Sequence, residues 1–256
     1  MAPEASRSRL DIVTQVQQEV GMTRILLTGS SRGIGAAALA MLRERGATVI
    51  GQSTSGGEGR LAADFSKAGA AETLWHEALK AAGGAIDILI NNAGAFVANP
   101  LARIDDDWAA AWTEGLTVNL TAAAILSRLA VRHWLKRGVE GRLVHVASRA
   151  GHRGDSPDHW HYAAAKGGML AMHKTIARGY GSEGIVSLAI APGFVDTAMA
   201  DDYLATRGGD GILQDIPIGR VATPDELARV ITFCALDAPA SMTGATLDAN
   251  GASYVR

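Results

Sequence analysis

The chain of 256 residues has a single cysteine, so it cannot form an internal disulfide. Cys234 lies in the apolar run VITFCAL, where a thiol reads as core packing in a reducing compartment. Neither sign of charge is in excess: 24 Lys and Arg stand against 26 Asp and Glu, a formal net charge of −2. No basic stripe interleaves with aromatics, which argues against a nucleic-acid partner or an anionic membrane surface. The opening MAPEASRSRL lacks a continuous apolar run, so neither a secretory signal nor a membrane span is expected there. Internal repeats and low-complexity tracts are also missing. The expectation left by these absences is a soluble, cytoplasmic protein whose partners are small molecules.

Hydrophobic residues make up 48% of the chain, enough for one packed core. A single domain over 22–256 is expected, preceded by an accessory segment, 1–21. There Leu10, Val13, Val16 and Val20 recur at roughly helical spacing and suggest a short amphipathic helix. From Arg24 onward, short apolar runs alternate with longer helical patterns, the signature of βαβ units around a parallel sheet. Strands are predicted at 24–28, 48–51, 60–63, 86–91, 141–147, 185–191 and 245–248, with helices at 33–45, 70–82, 105–137, 160–181 and 224–236. The strand runs show no polar alternation, as expected when helices cover both faces of a sheet. The fold class is therefore α/β, a doubly wound seven-stranded parallel sheet of Rossmann type. The Gly- and Asp-rich stretch 196–221 reads as an excursion on the ligand-binding edge.

After the first strand comes Thr28-Gly29-Ser30-Ser31-Arg32-Gly33-Ile34-Gly35, followed by an alanine-rich helix. Such a turn lets the backbone approach a pyrophosphate and aims free helix N–H groups and the positive dipole end at it. The spacing is GxxxGxG, and glycines also serve tight turns that hold no ligand. The second strand runs into Ser53 and Thr54, without the acid that usually receives the ribose 2′-OH of NAD. Arg32 with Ser53 and Thr54 suits a 2′-phosphate instead, so NADP(H) is favoured and NAD(H) kept as the alternative. The bland reading makes Arg32 a solvated turn residue. Asp64-Phe65 after the third strand offers an acceptor for an adenine amino group. Asn91, Ala93 and Gly94 after the fourth would let a cofactor lie against the strand ends.

Tyr162 and Lys166 stand four residues apart on one predicted helical face. A phenol with a pKa of about 10 is a poor base at neutral pH, and a nearby ammonium favours the phenolate. Alone, a YxxxK pair is more often a surface pair. Here TGSSRGIG, NNAG, Asn119 within VNL, Ser148 after a strand, YAAAK and Ala191-Pro192-Gly193 follow one another in an order that resembles the classical short-chain dehydrogenases/reductases. The likeness spans Arg24 to Tyr254, and TGSSRGIG, VIGQSTS and MTGATLDANGA look like the 3-oxoacyl-thioester reductase branch.

The resemblance implies a catalytic tetrad of Asn119, Ser148, Tyr162 and Lys166. Tyr162 would be the acid/base of a ketone and secondary-alcohol interconversion, and Ser148 would polarise the same oxygen. Lys166 would tune Tyr162 and hold the ribose, and Asn119 would hold a water of a proton relay. Pro192, Gly193 and Val195 would wall the nicotinamide, with Thr197 at its carboxamide. Position alone suggests Ala95, Phe96, Arg149, His152, Trp160, Phe194, Met199 and Tyr203 for the substrate pocket. Ser148 and Tyr162 are one residue further apart than is frequent in the family. His152, His159 and His161 in that interval invite a metal reading, but no Cys or carboxylate completes a set, so none is expected. Asp105-Asp106-Asp107 favours a helix N-terminus rather than a metal.

Ile216–Arg220 and Gly244–Tyr254 resemble family tetramer contacts, so a homotetramer is expected, with a dimer as second choice. Two other functions compete with carbonyl or alcohol oxidoreduction. One is reduction of 3-oxoacyl thioesters, for which an acidic carrier protein would need a basic dock. Glu140 and Glu183 weigh slightly against that dock, despite Arg137, Arg142 and Arg178. The other is a cofactor-binding regulator without catalysis, which the intact tetrad argues against.

Overall fold

The seven apolar runs become seven strands of one sheet: β1 (Arg24–Leu27), β2 (Thr48–Ser53), β3 (Arg60–Ala62), β4 (Ile88–Asn91), β5 (Gly141–Val146), β6 (Ile185–Pro192) and β7 (Thr246–Ala249). The computed structural model describes residues 23–57, 59–197 and 213–256. The accessory segment 1–21 and the middle of the excursion, with Met199 and Tyr203, lie outside the described residues. The strand order is β3-β2-β1-β4-β5-β6-β7, every neighbouring pair parallel. The order reverses between β1 and β4, and a doubly wound sheet opens its ligand crevice at the carboxyl ends of the strands beside such a reversal.

The missing alternation has a direct cause. Neighbouring strand residues point to opposite faces, and here both faces meet apolar helices. Ile25, Leu27, Val144, Val146, Leu188 and Ile190 pack with Leu42 of α1 (Gly33–Glu44) and with Leu227 and Ile231 of α7 (Pro224–Thr232). On the other face, Leu26, Leu89 and Leu143 meet Leu74 and Trp75 of α2 (Ala70–Ala81) and Leu126 and Trp134 of α4 (Ala122–Arg137). Trp134 is fully buried, its indole N–H donates to Ile86 O at 2.7 Å, and a Cβ on Gly141 would collide with its ring.

The predicted helix over 105–137 is divided in the structure. α3 (Asp105–Leu116) passes through a π turn at Thr117–Thr121 before α4 begins. One extra residue per turn breaks the helical register there and sets Asn119 into the interior, at 1% exposure. After β5 come the short helix α5 (Ala150–Arg153) and the long α6 (Trp160–Tyr180). β2 runs two residues past its predicted end, so Gln52 and Ser53 are buried strand residues.

Candidate active site

The glycine turn is held open by Gln52 of β2, by its own Ser30 and by Asn92 just past β4. Gly29 takes φ +66°, and its N–H donates to Gln52 Oε1 at 2.8 Å. Ser30 donates to Gln52 O from both its backbone N and its Oγ. Asn92 Nδ2 donates to Thr28 O and Gly29 O, each at 3.0 Å. A Cβ on Gly35 would strike the Gly29 carbonyl, so the first turn of α1 lies hard against the loop. That first turn has no acidic residue and no side-chain cap, leaving its N–H groups and positive dipole end for a ligand. A Cβ on Gly33 would sit 2.9 Å from Thr197 Cγ2, which places Thr197 across the opening from the helix start.

From this turn a cleft of about 1190 Å³ runs along the carboxyl edge of the sheet. Gly29, Ser31, Arg32, Gly33, Ile34 and Gly35 form one end, with Ser53, Thr54, Asp64 and Phe65 beside them. Asp64 Oδ1 accepts from Ser66 N and Oγ, and these bonds hold the carboxyl below its usual range. Arg32 and Thr54 are exposed, whereas Ser53 is buried and donates to Gly56 O at 3.2 Å. Ala93, Gly94, Pro192, Gly193, Val195 and Thr197 line the middle. Ala95, Phe96, Ser148, Arg149, Tyr162 and Phe194 line the far end, with Lys166 beneath.

Four predicted site residues do not line this cleft. Asn91 ends β4 facing inward, where Nδ2 donates to Ser127 Oγ and His145 Nδ1; its neighbour Asn92 takes the cleft position because successive strand residues alternate faces. Trp160 stands edge-on to Trp108, 51% exposed. His152 stacks on Tyr254 at 5.7 Å, toward the C-terminal segment. Asn119 lies behind Ala95: Nδ2 donates to Ala95 O and Gly115 O, and Oδ1 accepts from Ala95 N, all at 3.0 Å. Both amide protons are spent on backbone, so this side chain anchors the Ala95 loop rather than offering a donor to a water.

At the far end Ser148, placed just past β5, accepts from Ala150 N at 3.1 Å and hydrogen-bonds the Tyr162 hydroxyl. Tyr162 and Lys166 occupy one face of α6. Lys166 is 3% exposed and donates from Nζ to Val146 O at 2.9 Å, 5.7 Å from the centre of the Tyr162 ring. Burial pushes the Tyr162 phenol up to about 12, against the Ser148 hydrogen bond, which lowers it; the Asp155 charge adds to the rise. Burial alone brings Lys166 down to about 8. The expected depression of the phenol by the ammonium is thus not seen: the ammonium is committed to a backbone carbonyl, and desolvation dominates both groups.

The longer interval before Tyr162 has a defined shape. The Phe96 and His159 rings stack at 3.8 Å, Phe96 also meets Tyr162 edge-on at 4.8 Å, and His159 Nδ1 pairs with Ser156 Oγ at 2.7 Å. His161 is buried against Gly115. His152 therefore turns away from the other two, whose rings lie 6.3 Å apart and nearly parallel. Sequence reading missed Gln52, whose Nε2 donates to Ala63 O at 2.7 Å and ties β2 to the segment after β3. A polar residue inside the apolar run VIGQS was the signal available. Arg153, Asp155 and Ser156, also in the cleft lining, gave no signal beyond their nearness to Ser148.

Residues 29–251 match a family model described as enoyl-(acyl carrier protein) reductase. The chain is 37% identical over 245 residues to a 3-oxoacyl-[acyl-carrier-protein] reductase, FabG, of Vibrio harveyi, covering 90% of this chain and 96% of that one. The FabG of Escherichia coli is 35% identical with the same coverage. Among solved structures, a provisionally assigned NAD(P)-dependent gluconate 5-dehydrogenase from Beutenbergia cavernae, with bound NADP, superposes with TM-score 0.79 at 30% identity over 90% of this chain and 95% of that one. A provisionally assigned 2-deoxy-D-gluconate 3-dehydrogenase from Agrobacterium tumefaciens, also with NADP, gives TM-score 0.80 at 26% identity over 91% and 97%. Among the described residues no helix is long and apolar enough to cross a membrane. With its parallel seven-stranded sheet and glycine turn, the chain belongs to the classical short-chain dehydrogenase/reductase family, in the branch of the 3-oxoacyl-thioester reductases, and is an NAD(P)-dependent oxidoreductase acting on small molecules.

Proposed function

We propose that the chain reduces a ketone to a secondary alcohol with NADPH as the preferred donor, Tyr162 supplying the proton. The observation that carries this reading is a phenol hydrogen-bonded to Ser148 in the same cleft as an uncapped helix start that carries no acid in its first turn. With a pKa of about 12, Tyr162 is a proton donor across the physiological range. The Ser148 hydroxyl donates a second hydrogen bond to the carbonyl oxygen and polarises it. Lys166, anchored on Val146 O with Nζ 5.7 Å from the centre of the Tyr162 ring, keeps a positive charge on the floor of the cleft, where it would hold the ribose. Asn119 keeps the Ala95 loop in place opposite the phenol.

The residues fit a dinucleotide. The uncapped start of α1 faces the cleft, and the closeness of Gly35 to Gly29 leaves no side chain there to fill the space above it. Gly29 to Gly35 would hold the pyrophosphate, Asp64 the adenine amino group, Lys166 the ribose, and Pro192 to Thr197 the nicotinamide side. When bound, the cofactor supplies the hydride. The preference for NADPH rests on β2 ending at Ser53, followed by Thr54, without an acid, and on the exposed Arg32 side chain beside them in the cleft. The two solved relatives holding NADP support it.

The second reading, reduction of 3-oxoacyl thioesters, is favoured by the FabG relatives. Both readings use the same proton donor. NADPH absorbance followed with ketones, 3-oxoacyl thioesters and diketones separates them, with Tyr162→Phe as control. Turnover unaffected by that substitution would overturn the acid role, and tighter binding of NADH than NADPH would overturn the cofactor preference. We further propose a cytoplasmic homotetramer. Ile216 and Ile218 pack where a Cβ on Gly251 would fall, so the two contact segments form one surface, with Ile218 53% exposed. Light scattering that returns a monomer refutes the assembly.

A further inference from the structure

We infer that the C-terminal turn, 250–256, belongs to the catalytic end, with Tyr254 a positioning residue that holds the Ser148 hydroxyl in place through His152 and α5. The inference rests on the carbonyl-reductase reading above and adds the part of the chain that keeps its second donor in register. α5 follows Ser148 almost directly, and its first turn fixes that residue: Ala150 N donates to Ser148 Oγ at 3.1 Å and Gly151 N to Ser148 O at 3.0 Å. Yet α5 has only four residues, far below the length at which a helix holds itself in water. Contacts from outside must hold it. On one side Gly151 lies backbone to backbone on α6, since a Cβ there would fall 2.7 Å from the Lys166 carbonyl carbon and 2.8 Å from Gly167 N. On the other, the next two residues reach the C-terminal turn. The half-buried rings of His152 and Tyr254 stack at 5.7 Å with 13° between their planes, and Arg153 Nη1 donates to Ser253 O at 3.4 Å. Burial holds the imidazole below its ordinary pKa and the Arg256 charge adds to this, so the stacked ring is uncharged at neutral pH.

The turn is bonded in a way that keeps the Tyr254 ring still. Asn250 Nδ2 donates to Tyr254 O at 3.1 Å, and Asn250 O accepts from Ser253 N at 3.2 Å and Ser253 Oγ at 2.7 Å. Ala252 takes φ +63°, a left-handed backbone that these bonds hold in place. Beyond the ring, Arg256 grips β7, donating to Asp248 Oδ2 at 2.9 Å and to Thr246 O at 2.7 Å. The middle of the cleft is tied separately, Gly193 N donating to Ala249 O at 3.1 Å. Removing the Tyr254 ring therefore frees α5 on one side and leaves the strand ends as they are.

The test measures kcat, KM and NADPH affinity of Tyr254→Ala, Tyr254→Phe, His152→Ala and Ser148→Ala with a ketone or 3-oxoacyl thioester that the wild type reduces. Tyr254→Ala and His152→Ala are each expected to lower kcat by roughly tenfold to hundredfold, the effect of a small misplacement of a reacting group, with Kd for NADPH unchanged. Tyr254→Phe keeps the ring and should restore kcat. In a Ser148→Ala background the loss from Tyr254→Ala should disappear, because the path ends at that hydroxyl. A lower urea midpoint with kcat unchanged, or losses that multiply in the double variant, overturns the positioning role while leaving carbonyl reduction standing. Ser148→Ala with unchanged kcat, or no turnover by the wild type, sinks the carbonyl reading and this one with it. His152→Ala, outside the C-terminal segment, decides even if Tyr254→Ala fails to fold.

Discussion

Acidification from pH 8 to pH 5 should destabilise this protein from a point inside its sheet. His145 on β5 and His173 on α6 are both fully buried. By register Asn91, His145, Ala189 and Thr246 form one row across β4, β5, β6 and β7, and His173 sits over it with Nε2 3.1 Å from Thr246 Oγ1. Asn91 Nδ2 donates to His145 Nδ1, so the proton of the neutral ring is on Nε2, which has no partner among the described residues. Burial brings His145 from 6.5 down to about 3, helped by the His173 and Lys166 charges. Burial also brings His173 to about 4, helped by Lys174.

Both folded values lie below the unfolded one, so the unfolded chain binds more protons and stability falls as the pH drops below about 6.5. At pH 5 an unfolded imidazole is protonated by about 30 to 1 and a buried one is not, which costs about 2 kcal/mol for each histidine. Two such losses are a large share of a typical stability of about 5–15 kcal/mol. Urea unfolding at pH 8, 6.5 and 5 measures the loss, and His145→Leu, whatever its absolute stability, should remove about half of the pH dependence. Equal midpoints at pH 8 and pH 5 in the wild type, or an unchanged slope in the variant, would refute the reasoning.

Lys166 is an ammonium below about pH 8 and neutral above it, so kcat/KM for reduction should fall on the alkaline side of that value while Tyr162, at about 12, stays protonated. A profile flat to pH 10 counts against this role. Gln52→Leu removes the acceptor of the Gly29 N–H and the donor to Ala63 O; a raised Kd for NADPH and a stability loss of about 1–3 kcal/mol are expected. Unchanged NADPH binding, read by fluorescence titration, would show that the turn holds without it. Gly35→Ala should abolish NADPH binding, since its methyl meets the Gly29 carbonyl, and tight binding by a folded variant would contradict the packing described.

The sheet was legible because its cause is local. A run such as Ile88–Asn91 can be apolar throughout only if helices cover both faces, and each strand boundary fell within about two residues of where the pattern ended. The π turn was not legible. A single added residue leaves the 105–137 helical pattern almost intact, and only Asn119, a buried polar side chain in mid-helix, marks it. Asn91 was misassigned for a related reason. In NNAG both asparagines are equally suited to a cleft, and the one-residue alternation of the strand end decides that Asn92 faces it.

The site divides along the same line. Residues that bind by backbone geometry, Gly29 to Gly35, or by helix spacing, Tyr162 and Lys166, are readable because the geometry constrains the residue type. The segment between Ser148 and Tyr162 is different, since its side chains are set by contacts made far along the chain. His152 turns to Tyr254, His159 to Phe96, His161 to Gly115, and Arg149 to Phe194. A neighbouring family member with the same tetrad but other partners at these four contacts would present a different wall to its substrate. On the proposed reading, chemistry at the carbonyl oxygen would be set by the sheet and α6, while selection of the molecule that bears it would rest with a loop whose shape depends on Phe96, Phe194 and Tyr254.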